Sequence, residues 1–196
     1  IVMDAPPEHE DTKPFVEIAN FLEKQGLNVP HIYAINEVDG FLLLGDMGTQ
    51  NYLDRLNSDN ADQLYQQAMS ALIKLQSISK DQQIKLPNYN RELLNREMDL
   101  FDQWYIKVHL KKILTDQQQQ ILEQTLAYLT EQILEQPTGF VHRDYHSRNL
   151  MLIDNNNINN PGIIDFQDAV IGPCTYDLVS LLRDSYISWP DQKVEK

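Results

Sequence analysis

Val141-His142-Arg143-Asp144-Tyr145-His146-Ser147-Arg148-Asn149-Leu150, followed by Ile163-Ile164-Asp165-Phe166-Gln167-Asp168, decides the reading of this chain. The first stretch holds His-x-Asp-x-x-x-x-Asn, and the second places an Asp at the end of an apolar run. Around them the apolar period is two, so residues 140–141, 150–153 and 162–164 read as short strands. The Asn-rich segment 154–161 reads as the turn between the last two, since Asn and Asp tolerate left-handed backbone. Taken singly, Asp144, Asn149 and Asp165 are ordinary turn residues. Set together at the ends of hairpin-linked strands, they form the donor set that phosphoryl transfer requires. One carboxylate, Asp144, orients an acceptor hydroxyl and takes its proton. The amide oxygen of Asn149 and the carboxylate of Asp165 serve as ligands to Mg2+, which prefers oxygen and completes its shell with waters and phosphate.

Other chemistries fit less well. His142-x-x-x-His146 lacks the Glu of a zinc-protease helix and lies in a loop, so His142 reads as a structural brace. Cys174 sits in Gly-Pro-Cys-Thr with no partner for nucleophilic catalysis.

Upstream, residues 1–3 read as the end of a strand. Asp11 or Thr12 can cap a helix with Pro14 in its first turn, a stripe of Phe15, Ile18, Ala19 and Leu22, and Gly26 at its end. Residues 31–35 and 41–44 are two strands joined by a turn at 37–40. Three helical segments follow. Their stripes are Leu64, Ala68, Ala71, Leu72 and Leu75; then Leu94, Phe101, Trp104, Tyr105 and Val108; then Leu122, Leu126, Leu129 and Ile133. Thr115 and Gln118 form a capping box for the third, and Pro137 and Gly139 close it. A last helix runs from Tyr176 to about Tyr186, with Thr175 as its cap.

Composition excludes several classes. The formal net charge of -13 argues against sequence-independent nucleic-acid binding, which needs clustered Lys and Arg. No apolar run approaches the roughly 20 residues that span a bilayer. The lone Cys174 cannot build a disulfide framework and fits a reducing cytoplasm, and the opening residues, with no basic run before Pro6-Pro7, do not read as a signal peptide. The chain begins at Ile1 within a strand-like run, which reads as a fragment of something longer.

These motifs resemble the aminoglycoside phosphotransferase-like family of small-molecule kinases, relatives of protein kinases. The resemblance rests on Met3-Asp-Ala-Pro-Pro-Glu8, Gly40-Phe-Leu-Leu-Leu-Gly-Asp46 with Gly48, residues 142–151, and Ile164-Asp-Phe-Gln-Asp-Ala169 followed by Gly172-Pro-Cys-Thr-Tyr-Asp-Leu178. Within the family it is strongest to the bacterial branch that phosphorylates the anomeric hydroxyl of cell-wall amino sugars. It implies an ATP- and Mg2+-dependent enzyme whose acceptor is a small-molecule sugar. It also implies that the backbone around Leu44 and Asp46 holds adenine, and that Asp177 braces the catalytic loop. Arg148 is a candidate for neutralising phosphate or substrate charge, or else a plain surface Arg. Arg143, Arg148, Glu97, Phe101, Trp104 and Tyr105 are candidates to shape the acceptor cleft, with core packing as the alternative for the aromatics.

The sequence departs from the wider family in having no glycine-rich phosphate loop and no Lys in the first strand; the loop is expected to precede Ile1. The expected fold is α+β and protein-kinase-like. Residues 1–46 form the rest of a small antiparallel lobe and hinge, and 47–196 form a mostly helical lobe carrying the catalytic loop. The alternatives are an aminoglycoside or other small-alcohol kinase, and, in another class, a pseudokinase-like binding module.

Overall fold

The computed structural model describes residues 1–78, 84–153 and 161–194. The expected Asn-rich turn lies outside them except for Pro161. Three strands, β1 (Val2–Asp4), β2 (Ile32–Asn36) and β3 (Phe41–Leu44), form an antiparallel sheet in the order β1-β3-β2. The β2–β3 turn closes where Gly40 N–H donates to the Asn36 carbonyl at 2.9 Å. Gly40 has φ +74°, and a Cβ there would sit 2.1 Å from the Ala5 carbonyl oxygen, so only glycine fits.

Helix α1 (Thr12–Lys24) packs beside this sheet. Asp11 caps it by accepting from Lys13 N–H, and the expected stripe of Phe15, Ile18, Ala19 and Leu22 is buried. The helical part contains the one-turn α2 (Tyr52–Arg55), α3 (Ala61–Gln76), α4 (Arg91–Leu100), a π-helical segment (Phe101–His109), α5 (Asp116–Leu134), α6 (Tyr176–Leu182) and the short α7 (Asp191–Val194). Two small antiparallel pairs sit among these helices. β4 (Thr138–Val141) pairs with β7 (Val170–Pro173), and β5 (Leu150–Met151) pairs with β6 (Gly162–Ile163). One apolar core joins the two parts: Ile18 and Leu22 of α1, Leu42 of β3, Leu72 and Leu75 of α3, and Phe140 of β4 belong to it. Each such side chain, fully buried, contributes roughly 1.5–3 kcal/mol.

Three expectations change. The second helical stripe is not the buried one: Trp104 is 64% and Val108 55% exposed, while Leu94, Asp102 and Ile106 face inward. The cause is a widening of the helix after Leu100, seen where Leu110 N–H donates to the Tyr105 carbonyl five residues back. Wider turns advance the buried face in steps of four, which a 3.6-residue pattern misassigns. In the third helix the capping box of Thr115 and Gln118 is present, yet Leu129 is exposed and Thr130 is the buried residue. The last helix stops at Leu182 rather than near Tyr186, and β7 had no counterpart in the sequence reading.

Candidate active site

The turn after β4 carries the first motif, and its backbone is held from behind by α6. Asp177, buried near the start of that helix, accepts the N–H groups of His142 at 2.7 Å and Arg143 at 3.0 Å. Asp184, just beyond the helix, accepts Ser147 N–H at 2.9 Å. Tyr145 is also buried, and its hydroxyl donates to the Ala68 carbonyl of α3 at 2.8 Å. From the other side, Leu53 N–H of α2 donates to the Ser147 carbonyl at 3.1 Å. The loop is therefore fixed at both ends and in the middle.

His142 is fully buried and links the two motifs. Its Nε2 pairs with the Ile164 carbonyl at 3.0 Å, and its Nδ1 accepts Asp144 N–H at 3.3 Å. These partners define one neutral tautomer, protonated on Nε2. Burial agrees, holding the imidazole down at about 4. A permanently neutral His that bonds the residue before Asp165 joins the catalytic loop to the second motif.

Asp144, Asn149 and Asp165 converge. The Asn149 side-chain nitrogen donates to the Asp165 carboxylate at 3.0 Å and to the Asp144 carbonyl at 3.1 Å. Both partners are acceptors, so they settle which end of the amide is nitrogen. The Asn149 oxygen is then the end left for a cation. Gln167 Nε2 donates to the other Asp165 oxygen at 2.8 Å. Asp165 adopts φ 66° and Arg143 φ 79°, left-handed conformations that non-glycine residues rarely take. Asp144 is exposed, and its carboxyl is shifted upward, first by partial burial and then by the nearby Asp165 charge.

Arg143 turns away from solvent. Its guanidinium pairs with Glu97 of α4 at 2.6 Å, and Glu97 in turn accepts from the Tyr89 hydroxyl. Arg148 is exposed and lies over the Tyr186 ring, 4.8 Å from its centroid. Phe166 stacks on Phe15 of α1 with centroids 5.1 Å apart, packing the second motif against the sheet side. A cleft of about 450 Å3 opens beside Asp144, lined by Arg96, Glu97, Leu100, Arg143 and Tyr176. Phe101, Trp104 and Tyr105 do not line it, because the π turns swing them outward. At the end of β3, Leu44 is buried, and both its backbone groups pair with Ile1 at 2.8 Å. Asp46 lies just beyond and accepts Gly48 N–H at 2.8 Å. Among the described residues no cluster of three or more His, Cys, Asp or Glu side chains could hold a metal by itself.

The sequence reading missed Asp184, Tyr89 and Arg96. Asp184 had a signal: it lies seven residues after Asp177, two helical turns on, and so shares its face. Tyr89 and Arg96 had none, because only the tertiary fold brings α4 beside the loop.

The pattern that defines the phosphotransferase enzyme family runs through residues 1–195. The chain belongs to this family. Among relatives of this chain, one from Pseudomonas putida named N-acetylmuramate/N-acetylglucosamine kinase is 46% identical over 195 residues, covering 100% of this chain and 56% of its own. A protein of the same name from Neisseria meningitidis is 36% identical over 198 residues, covering 99% of this chain and 57% of its own. The chain thus spans about half the length of the curated relatives it matches. Among solved structures, aminoglycoside phosphotransferase APH(3'')-Id from Streptomyces rimosus, in complex with ADP and streptomycin, superposes with a TM-score of 0.66 at 16% identity. It covers 93% of this chain and 72% of its own. ADP-bound aminoglycoside phosphotransferase APH(2'')-Ib superposes with a TM-score of 0.63 at 21% identity, covering 93% of this chain and 63% of its own. These likenesses establish the fold as protein-kinase-like, with a small sheet region and a helical part, as the sequence implied. No helix among the described residues is long and apolar enough to cross a membrane.

Proposed function

We propose that the protein transfers the γ-phosphoryl group of ATP to the anomeric hydroxyl of N-acetylmuramate or N-acetylglucosamine, in the cytoplasm and in the service of cell-wall recycling. The observation that carries this reading is the convergence of Asp144, Asn149 and Asp165 on two braced turns, in a chain 46% identical to a protein of that name. Asp144 is the general base: it is exposed beside the cleft, and its raised carboxyl is nearer the pH at which a base works best. It orients the sugar hydroxyl and receives its proton as the oxygen meets phosphorus.

The donors fit Mg2+. The Asn149 amide oxygen and the Asp165 carboxylate are both hard oxygen ligands, and the bonds at the Asn149 nitrogen leave its oxygen as the end free to meet a cation. When bound, the ion neutralises charge on the transferring phosphoryl group. One carboxylate and one amide leave the remaining positions to nucleotide phosphates and water.

Adenine falls to the hinge after β3. With both Leu44 backbone groups engaged by Ile1, this task passes to the backbone of Asp46 and its neighbours. Leu44 provides the apolar end of the strand against the base. Arg148 meets phosphate or acceptor charge from its place on Tyr186. His142 and Asp177 brace the loop.

The cleft favours an amino sugar over an aminoglycoside. A polycation calls for free carboxylates, but Glu97 is already neutralised by Arg143. The test is to give the full-length enzyme N-acetylmuramate, N-acetylglucosamine and kanamycin with MgATP, then locate the phosphate by 31P NMR. A sugar 1-phosphate supports the reading. Phosphate on kanamycin with neither sugar turned over refutes it, and so does the absence of any transfer.

A further inference from the structure

Three arginines lie around Asp144, and the structure gives each a different situation. Arg143 is engaged, with its guanidinium on Glu97 at 2.6 Å and near Asp168 at 4.0 Å, and its side chain only 24% exposed. Arg148 is stacked on the Tyr186 ring, which also meets His146 edge-on. Arg96 is exposed and, among the described residues, forms no ion pair. It lines the 450 Å3 cleft together with Asp144 and also borders a neighbouring cleft of about 460 Å3.

The position of Arg96 follows from the helix that carries it. Glu97, its neighbour on α4, is anchored by Tyr89 and Arg143, which fixes this turn of the helix against the catalytic loop. Arg96 therefore projects from a held backbone at the cleft wall. Of the carboxylates there, Glu97 is neutralised and Asp144 is reserved for the hydroxyl. What remains is the Arg96 guanidinium, without an ion pair among the described residues, beside a small cleft with apolar walls at Leu100 and Tyr176.

We propose that Arg96 is the specificity residue of the acceptor cleft, receiving a carboxylate carried by the sugar. The inference rests on the function proposed above and refines it. Of the two named acceptors, N-acetylmuramate carries a lactyl carboxylate and N-acetylglucosamine has a hydroxyl in its place. A guanidinium suits a carboxylate because its planar fork donates two parallel hydrogen bonds. The cleft also lies within the roughly 300–1,000 Å3 range of small-molecule sites.

The experiment is steady-state kinetics of the full-length enzyme with both sugars, for the wild type, Arg96→Met and Arg96→Lys. Arg96→Met keeps the length of the side chain and removes its charge. The ratio of kcat/KM for N-acetylmuramate to that for N-acetylglucosamine is expected to fall about 10- to 100-fold, the size of a lost charge-assisted hydrogen bond. The loss should appear in KM rather than kcat, because the lactyl arm is remote from the reacting oxygen. Arg96→Lys should restore part of the ratio, and activity at high substrate in both variants would show that they fold. An unchanged ratio in Arg96→Met, with the wild type active on both sugars, overturns this inference alone. A wild type active on neither sugar overturns the proposed function and this inference with it.

Discussion

Replacing Asp177 with Asn probes what holds the catalytic loop. Asp177 is buried and accepts two backbone N–H groups, from His142 at 2.7 Å and Arg143 at 3.0 Å. Asn has the same shape but only one acceptor oxygen; its NH2 would face the second N–H and leave it unpaired. A buried orphan donor costs about 1–3 kcal/mol. Arg143 also sits at φ 79°, a conformation that costs about 1–3 kcal/mol and is held partly by this bond. We expect Asp177→Asn to destabilise the fold by about 2–4 kcal/mol, a large share of the roughly 5–15 kcal/mol of a typical domain. The pH dependence sharpens the test. Burial pushes the Asp177 carboxyl up to about 7 from 3.8, outweighing its two N–H donors. Because the folded value is raised, the group's contribution is fully present below 3.8 and is lost as pH rises through 7. Asn does not titrate, so the gap between wild type and variant should be widest in acid and shrink by about 2 kcal/mol between pH 5.5 and 8, with most of that loss below pH 7. Urea unfolding of both proteins at pH 5.5, 7 and 8 measures it. A gap under about 0.5 kcal/mol, or one that widens with pH, refutes the reasoning.

Further outcomes follow from the same geometry. Asp144→Asn should lower kcat about 10²- to 10⁴-fold, with nucleotide affinity by calorimetry nearly unchanged, since it removes the partner of the hydroxyl and no ATP contact. Asn149→Ala should raise the Mg2+ concentration for half-maximal activity by at least the roughly 10-fold seen when even outer-shell metal partners are lost; a Mg2+ titration reads it. Gly40→Ala should destabilise by about 2–4 kcal/mol in thermal melts, because its Cβ would strike the Ala5 carbonyl oxygen at 2.1 Å from a left-handed backbone.

Much of the chain could be read before folding because its signals are local. The cap at Asp11, the apolar stripe of α1 and the capping box at Thr115 depend only on neighbours in sequence, and all three are present. That Asp144, Asn149 and Asp165 come together was legible because their two motifs lie close in sequence at strand ends. What escaped was tertiary. The π turns after Leu100 change the helical period without any Pro or Gly to announce it, so Trp104 and Tyr105 were assigned to a face they do not occupy. β7 is only four residues long and is defined by a partner more than thirty positions upstream, so alternation within it carries little information. Arg96 was invisible for a related reason: an exposed Arg on a helix looks the same whether solvent or a cleft lies beside it.

The braces also explain how the site tolerates its own geometry. Left-handed backbone at Arg143 and Asp165 would relax if either residue were free. Neither is. Arg143 is tied at its backbone to Asp177 and at its guanidinium to Glu97, on two different helices. Asp165 is tied through its carboxylate to Asn149 and Gln167, and the carbonyl before it to His142. Apart from the Asn149 bond, these ties come from residues outside the proposed chemistry: Asp177, Glu97, Gln167 and His142. Of Asp144 and Asp165, Asp144 keeps its carboxylate free of hydrogen bonds among the described residues, exposed beside the cleft. A loop immobilised on every side except at Asp144 presents the proposed base in a fixed position, which is the condition for positioning to contribute to rate. Loosening any brace should therefore lower kcat more than it raises the KM for nucleotide, because the hinge after β3 shares none of these bonds.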